Sequence, residues 1–214
     1  MIKIAITGKA DKRILAYPLM RACSISGHTS VVTDDAAYKR LYAGKENYGE
    51  IEDIKINVLF ELTDETLKGI EEQAVIDETE YLIVISDSYY PKDADHILML
   101  CEQNCTFLGN YIEDIIDNQN NNVTFGTLTL FPHKIKAFVP KEVHMHQITW
   151  KPEHSMYLFQ VEEMRQLQPL KDKFITALLV NAFAAPLNIK PASLNSLLKR
   201  KRYAYMKKDN RKEA

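Results

Sequence analysis

Short apolar strands alternate with helical segments along the first half of this chain, and that alternation limits the possible folds more than any other feature. The strand-like runs are "IKIAIT", "TSVVT", "INVLFEL", "EYLIVIS" and "CTFLGN". A segment with helical spacing separates each run from the next. Strands that alternate with helices form a mostly parallel sheet with helices on both faces. We therefore expect a doubly wound, Rossmann-like α/β domain with a mostly parallel sheet and helices on both faces.

Glycine and proline set the expected limits of the helices in this region. "AYPLMRACSISG" ends at Gly27, and Pro18 belongs in its first turn because a deeper proline would delete a backbone hydrogen bond. "DDAAYKRLYAG" is a short helix that ends at Gly44. "DETLKGIEEQAV" begins at a capping Asp64, and "PKDADHILMLCEQN" is predicted as a helix with Pro91 at its start.

The second half of the chain has a looser pattern. "VTFGTLTLF", "KIKAFVP" and "VHMHQITW" are rich in β-branched and aromatic residues, which predicts further strands. "VEEMRQLQPLKDKFITALLVNAF" is helical with an interruption at Pro169, and "SLNSLLKRKRYAYMKK" is a final basic helix. We expect an α/β domain over residues 1–190 and a basic C-terminal helix or tail over residues 191–214.

The composition is ordinary for a globular protein, with 46% hydrophobic and 26% charged residues among 214. No apolar run approaches the roughly 20 residues of a membrane span, and "MIKIAITGKA" has the pattern of a buried strand rather than a signal peptide. The 3 cysteines cannot all pair, which favours a reducing compartment. We therefore expect a cytoplasmic protein.

The net charge of −2 conceals an uneven distribution. The last sixteen residues, "KRKRYAYMKKDNRKEA", contain eight Lys or Arg and two Asp or Glu, so they carry +6 and leave −8 on the rest. This tail predicts contact with DNA, an anionic membrane or an acidic protein partner, and hence a location at the nucleoid or the membrane surface, although a solvated end has the same composition. Leu194, Leu197 and Leu198 would supply an apolar stripe for a membrane. The expected basic contacts are Lys199, Arg200, Lys201, Arg202, Lys207 and Lys208.

Functional residues in a parallel sheet lie at the carboxyl ends of the strands. The sequence places the loop Gly8–Arg13, Asp34, Glu61 and Asp87 at that edge. A full P-loop uses several glycines to wrap backbone N–H groups around the phosphates, a lysine to neutralise them and a hydroxyl residue to hold Mg²⁺. The loop here contains Gly8 alone.

The order of these segments resembles that of the ParA/MinD family of deviant P-loop ATPases. "ITGK", "LAYPLMRA", "SGH" and "VVTDD" match the family's strand, phosphate loop, helix, strand and Asp in order, with a loop two residues shorter. The resemblance places Lys12 at the phosphate lysine and Lys9 at the family's signature lysine. Arg13 stands where a hydroxyl residue would hold Mg²⁺. Loss of that ligand implies strongly impaired phosphoryl transfer.

The resemblance extends over roughly residues 1–185. "INVLFELTD" is similar to the family's second acidic strand, with Glu61 near its Asp, and "EYLIVISDSYYPKDADHILMLCE" is similar to the next strand and helix. "FLGNYI" places Asn110 at an adenine contact, and "KAFVPKEV" matches a later strand. The resemblance implies a sandwich homodimer and ATP or ADP as the ligand. The implied nucleotide contacts are Gly8, Lys9, Lys12, Arg13, Asp34, Glu61 and Asn110.

Other interpretations of the same residues stay open. The first loop also looks like the start of an NAD(P)-dependent enoyl-reductase-type enzyme, whose catalytic Tyr and Lys would best match Tyr203 and Lys207 in the tail. The loop could instead close the fold without binding a ligand. Asp34 and Asp35 could contact a ribose or a metal-bound water. They could instead cap the next helix, and the cap is favoured because Asp is a strong N-cap residue.

Metal binding is the weaker interpretation of three groups of residues. Acidic residues at a helix start complement the helix dipole, which explains Asp87, Asp93 and Asp95 without a metal. A zinc site needs four ligands brought together. The sequence contains two closely spaced pairs of possible ligands, and neither has a second pair nearby in the sequence. These pairs are Cys101 with Cys105 and His144 with His146.

We expect a degenerate ParA/MinD-like protein that acts as a non-hydrolysing scaffold or positioning factor in DNA partition, DNA transfer or membrane-associated assembly. The competing class is an active nucleotide-dependent enzyme, either a slow ATPase that uses Lys9 and Lys12 or an NAD(P)-dependent oxidoreductase. The loop Gly8–Arg13 discriminates between them. A cradle lined by N–H groups favours ATP, whereas a collapsed loop filled by Lys12 or Arg13 favours the scaffold.

Overall fold

The computed structural model describes residues 1–102, 123–129 and 145–199. Within these residues the strands are β1 (Ile2–Thr7), β2 (Thr29–Thr33), β3 (Tyr48–Ile51), β4 (Ile54–Val58), β5 (Tyr81–Ser86), β6 (His96–Glu102), β7 (Val123–Thr129) and β8 (Met145–Thr149). The helices are α1 (Arg13–Ser26), α2 (Asp64–Ile76), α3 (Pro152–Met164), α4 (Lys173–Phe183) and α5 (Pro191–Lys199), with a 3-10 helix at Ala36–Leu41.

The eight strands form one sheet in the order β3-β4-β2-β5-β1-β6-β7-β8. Neighbouring strands are parallel except for the antiparallel pair β3–β4. Every residue of β5 is buried, as expected for a central parallel strand that is covered on both faces. The predicted doubly wound, mostly parallel α/β fold is therefore confirmed.

Alternate residues of the central strands face opposite layers of the domain. In β5, Ile83 and Ile85 belong to the large core that includes α1, α3, α4 and α5. Leu82 and Val84 belong to a smaller core with Leu67 of α2. The helices therefore cover both faces, and β1 at the centre of the sheet delivers its following loop to the carboxyl edge.

The helix predicted at "PKDADHILMLCEQN" is wrong, because β6 (His96–Glu102) runs through its second half. The six residues before Glu102 are all buried, and the strand pairs in parallel with β1 and β7. A short, continuous apolar run does not distinguish a buried strand from a buried helix by periodicity alone. The acidic residues before it contact β1 instead, with Lys3 Nζ 2.6 Å from Asp93 Oδ2 and the Lys3 amide 2.7 Å from Asp95 Oδ2.

Two helix starts also differ from their predictions. α1 begins at Arg13, so Pro18 lies inside the helix beyond its first turn, buried against the core. α2 is capped by Thr63 rather than by Asp64: Thr63 Oγ1 accepts a hydrogen bond from the Thr66 amide at 3.2 Å. Asp64 occupies the first turn, where a carboxylate favours the helix dipole.

The later elements follow the predicted pattern more closely. β7 and β8 confirm two of the predicted strands, and α3 and α4 flank the interruption at Pro169. In α5, Leu194, Leu197 and Leu198 are at most 6% exposed and pack in the main core. The membrane-facing stripe predicted for these leucines is therefore wrong, since the fold already buries them.

Several predicted features lie outside the described residues. They are the strand "CTFLGN" with Asn110, the strand "KIKAFVP", Cys105, His144 and the tail residues Arg200, Lys201, Arg202, Tyr203, Lys207 and Lys208. Among the described helices, none is both long and apolar enough to cross a membrane.

A candidate site at the carboxyl edge of the sheet

A cavity of about 800 Å³ opens at the carboxyl edge of the sheet, above the ends of β1, β2, β4, β5 and β6. The sequence predicted that the loop Gly8–Arg13, Asp34, Glu61 and Asp87 would meet at this edge, and all of these residues except Gly8 line the cavity. Its acidic lining residues are Asp11, Asp34, Asp35, Glu61, Asp87 and Glu102, and its basic ones are Lys9, Lys12 and Arg13.

The side chain of Lys12 is folded into its own loop. Its Nζ donates hydrogen bonds to the carbonyl oxygens of Gly8 at 2.9 Å and Ala10 at 3.2 Å, and it forms an ion pair with Asp87. Only 2% of the Lys12 side chain is exposed. The lysine that the resemblance assigns to phosphate therefore closes the loop by filling it.

Two backbone N–H groups of the loop, those of Ala10 and Arg13, are engaged as well. The Ala10 amide donates to the Gly8 carbonyl at 3.0 Å, and the Arg13 amide donates to Asp11 Oδ1 at 3.2 Å. A carboxylate at the start of a helix occupies the position where an anionic ligand would otherwise bind. The protein thus supplies its own anion, Asp11, at the amino end of α1.

Arg13 points toward two carboxylates rather than into an open ligand position. Its Nε and Nη2 donate to the two Asp11 oxygens at 2.9 and 2.7 Å, and its Nη1 lies 2.6 Å from Glu162 Oε1 on α3. The hydrogen bonds to Asp11 are the main cause of an upward shift in the pKa of Arg13. The guanidinium is therefore a fixed structural cation in this arrangement.

Glu162 also contacts two other residues besides Arg13. Tyr17 Oη donates to Glu162 Oε1 at 3.1 Å, and Arg40 Nη1 lies 3.3 Å from Glu162 Oε2. Burial, reinforced by the neighbouring Glu162 carboxylate, raises the pKa of Tyr17 well above its usual range.

Sequence reasoning missed both Glu162 and Asp11. An Asp just before a helix start was a usable signal, whereas the pairing of Arg13 with Glu162 depends on tertiary packing alone.

Gly8 has a conformational reason to be glycine. Its φ of +105° is one that side-chain-bearing residues rarely adopt, and a Cβ there would lie 2.3 Å from the Leu100 carbonyl oxygen. The loop is therefore pressed against β6 at this point. The Glu102 amide also donates to the Lys9 carbonyl at 3.3 Å, which ties the next residue of the loop to the same strand.

The remaining predicted site residues have separate local roles. Asp35 caps the 3-10 helix by accepting from the Ala37 amide at 2.8 Å, as predicted, and Asp34 accepts from Ser86 Oγ at 2.6 Å. Glu61 and Lys9 are exposed at the cavity. Within the described residues, no group of three or more His, Cys, Asp or Glu is arranged to hold a metal ion.

The lining of the cavity has a formal charge of −3, from six carboxylates and three cations. Two of those cations, Lys12 and Arg13, already pair with carboxylates. A polyphosphate at this position would face more negative than positive charge, and like charges at short range repel.

A comparison with solved structures finds a similar fold in a chain of the MinC:MinD cell division protein complex from Aquifex aeolicus. The match has a TM-score of 0.51 and 13% sequence identity, and it covers 82% of this chain and 93% of that one. No protein-family model matches the sequence, and no curated protein does either. The comparison supports a MinD-like fold.

Proposed function

We propose that this protein is a degenerate ParA/MinD-like protein that acts as a non-hydrolysing scaffold or positioning factor. The observation that carries the proposal is the position of Lys12, whose ammonium group is held by the carbonyls of Gly8 and Ala10 and by Asp87. A phosphate-binding lysine must present its charge to the ligand. Here the charge is directed inward and completes the loop.

The residue after Lys12 supports the same conclusion. In the resembled family a hydroxyl at this position would hold Mg²⁺, and metal-bridged phosphates are central to phosphoryl transfer. Arg13 offers no acceptor atom, and its positive charge repels a divalent cation. Its pairing with Asp11 and Glu162 gives it a structural role in place of a catalytic one.

The process we propose is DNA partition, DNA transfer or membrane-associated assembly. The structural neighbour belongs to a cell division complex of MinC with MinD, and that context supports this part of the proposal. We propose that this chain also assembles as a homodimer and that its basic tail contacts DNA, an anionic membrane surface or an acidic protein. Such a protein would work in the cytoplasm, at the nucleoid or at the membrane surface.

An active nucleotide-dependent enzyme is the second candidate, and the size of the cavity favours it. A volume of about 800 Å³ lies within the usual range for small-molecule sites. Lys9 is exposed at this cavity. An ATPase would require Lys12 and Asp11 to leave their present partners when ATP or ADP binds.

A thermal-shift screen of the whole protein with ATP, ADP, GTP, NADH and NADPH, each with and without Mg²⁺, separates the two candidates. A ligand that binds the folded state at 100 times its Kd adds about 2.7 kcal/mol of stability. If the protein is a scaffold, we expect no shift with any nucleotide. We also expect a lower Tm for Lys12→Ala than for Lys9→Ala, because the Lys12 side chain is buried in the loop and Lys9 is exposed. A clear MgATP shift that Lys12→Ala abolishes would show that the loop binds nucleotide and would favour the enzyme instead.

A further inference from the structure

We propose that the basic C-terminal segment, residues 200–214, docks on the acidic cavity at the carboxyl edge of the sheet within the same molecule. The cavity would then serve as a holding site for the tail, and the tail would be released when a polyanion competes for it. The complementary charges, the reach of the tail and an exposed aromatic side chain in the cavity support this docking. It does not depend on which polyanion the tail contacts.

The charges of the two surfaces are complementary. Residues 200–214 contain seven Lys or Arg and two Asp or Glu, a net charge of +5. The cavity lining has a formal charge of −3, and three of its carboxylates, Glu61, Asp87 and Glu102, are exposed. Because the cavity is concave and lined mainly by one sign of charge, it concentrates the field that attracts a basic segment.

The tail leaves the domain within reach of the cavity. Arg21 of α1 donates to the Leu197 carbonyl at 2.6 Å, which fixes the end of α5 beside the middle of α1. Arg13, at the cavity, is eight residues earlier on α1, which is about 12 Å along the helix axis. A segment of fifteen extended residues spans up to about 50 Å, so even a bent path reaches the cavity.

The cavity also offers an aromatic contact. Phe60, in the loop after β4, lines the cavity and is 100% exposed, which is unusual for so large an apolar side chain. The tail contains Tyr203 and Tyr205 between its two basic clusters. An aromatic pair contributes about 0.5–1.5 kcal/mol beyond area burial, and Arg or Lys over the Phe60 ring would add a cation–π contact.

Zero-length carbodiimide cross-linking of the full chain at low ionic strength tests this proposal directly. The reagent joins lysine amines to carboxylates that are already in contact, and peptide mass mapping identifies the pairs. We expect the tail lysines Lys201, Lys207 and Lys208 to couple to Glu61 or Glu102. The reference carboxylates are Glu72 and Glu78, which are exposed near the end of α2 at the opposite edge of the sheet.

Matched charge variants and isotope mixing complete the design. Glu61→Gln combined with Glu102→Gln should reduce tail cross-links to the remaining cavity carboxylates several-fold, whereas Glu72→Gln with Glu78→Gln should leave them unchanged. An equal reduction by both pairs, or cross-links spread evenly over Glu72 and Glu78, would overturn the proposal. Mixing ¹⁴N and ¹⁵N protein identifies the donor of the tail. Cross-links that join mainly light to heavy chains would contradict docking within one molecule.

Discussion

Arg13 Nη1 lies 2.6 Å from Glu162 Oε1, so the first residue of α1 is joined to α3 across 149 residues of sequence. The side chains are 19% and 11% exposed, so the burial of this ion pair is intermediate between that of a surface pair and that of a fully buried pair. Tyr17 and Arg40 share the same carboxylate. Arg13, which the resemblance places at the Mg²⁺-ligand position, therefore holds two parts of this domain together.

Replacing Glu162 with Gln should lower the free energy of unfolding by about 2 kcal/mol, between the values for surface and buried ion pairs. The change leaves Arg13 partly buried without its full counter-charge. Urea denaturation provides the measurement, and Glu163→Gln is the matched control because the neighbouring Glu163 is exposed. Equal stability of the two variants would contradict a structural role for the Arg13–Glu162 pair.

Replacing Gly8 with Ala should destabilise the protein by about 2 kcal/mol or more. The added Cβ would meet the Leu100 carbonyl oxygen at 2.3 Å, in a backbone conformation with φ +105° that alanine rarely adopts. Gly69→Ala on α2 should have the opposite effect and stabilise by about 1 kcal/mol, since nothing lies within 4 Å of its added Cβ. Tm values of both variants decide the point. A harmless Gly8→Ala would show that the loop is not pressed against β6.

The pH dependence of stability should include a contribution from His96. Burial lowers the pKa of His96 to about 4, whereas an unfolded histidine has a pKa of about 6.5. The unfolded state therefore binds more protons between these values, so stability is greatest above pH 6.5 and falls as the pH drops toward 4. In Tm measurements from pH 8 to pH 4, His96→Gln should flatten this decline. The exposed His28→Gln control should keep it, and an unchanged slope in His96→Gln would count against the burial argument.

Deleting residues 200–214 should leave the fold intact and abolish retention on DNA or anionic liposomes. Among the described residues the last element of the core is α5, which ends at Lys199, and the deleted segment carries a net charge of +5. Binding by the whole protein should weaken steeply between about 50 and 200 mM salt, because phosphate contacts release counterions. Co-sedimentation with liposomes and a DNA mobility shift measure the two surfaces. Undiminished binding by the shortened chain to both would show that the tail is only a solvated end.

The parallel sheet and its functional edge could be predicted because each depends on local pattern. The apolar run of β1, the glycine after it and the acidic residues that follow the strands all mark the carboxyl edge directly. β6 was mistaken for a helix because six consecutive buried residues carry no period. The short antiparallel strand β3 was missed, since only one of its four residues, Ile51, is buried and the strand gives little hydrophobic signal.

The interior of the candidate site was less predictable than its location. The resemblance places Lys12 and Arg13 in a phosphate loop, but the residues with which they pair determine their roles. Asp87 and Glu162 lie 75 and 149 residues away from them in the chain. Such pairings arise only when the strands and helices have packed, so no local pattern reveals them.

Steady-state ATP hydrolysis tests the central claim most directly, measured with MgATP for the whole protein and for Lys12→Ala side by side, with and without DNA or anionic lipid. Because Lys12 is bound within its loop and Arg13 stands where the resemblance places the Mg²⁺ ligand, we predict the same slow background for both proteins under every condition. A sustained kcat near 1 s⁻¹, at the lower end of typical enzymes, that disappears in Lys12→Ala would contradict the account.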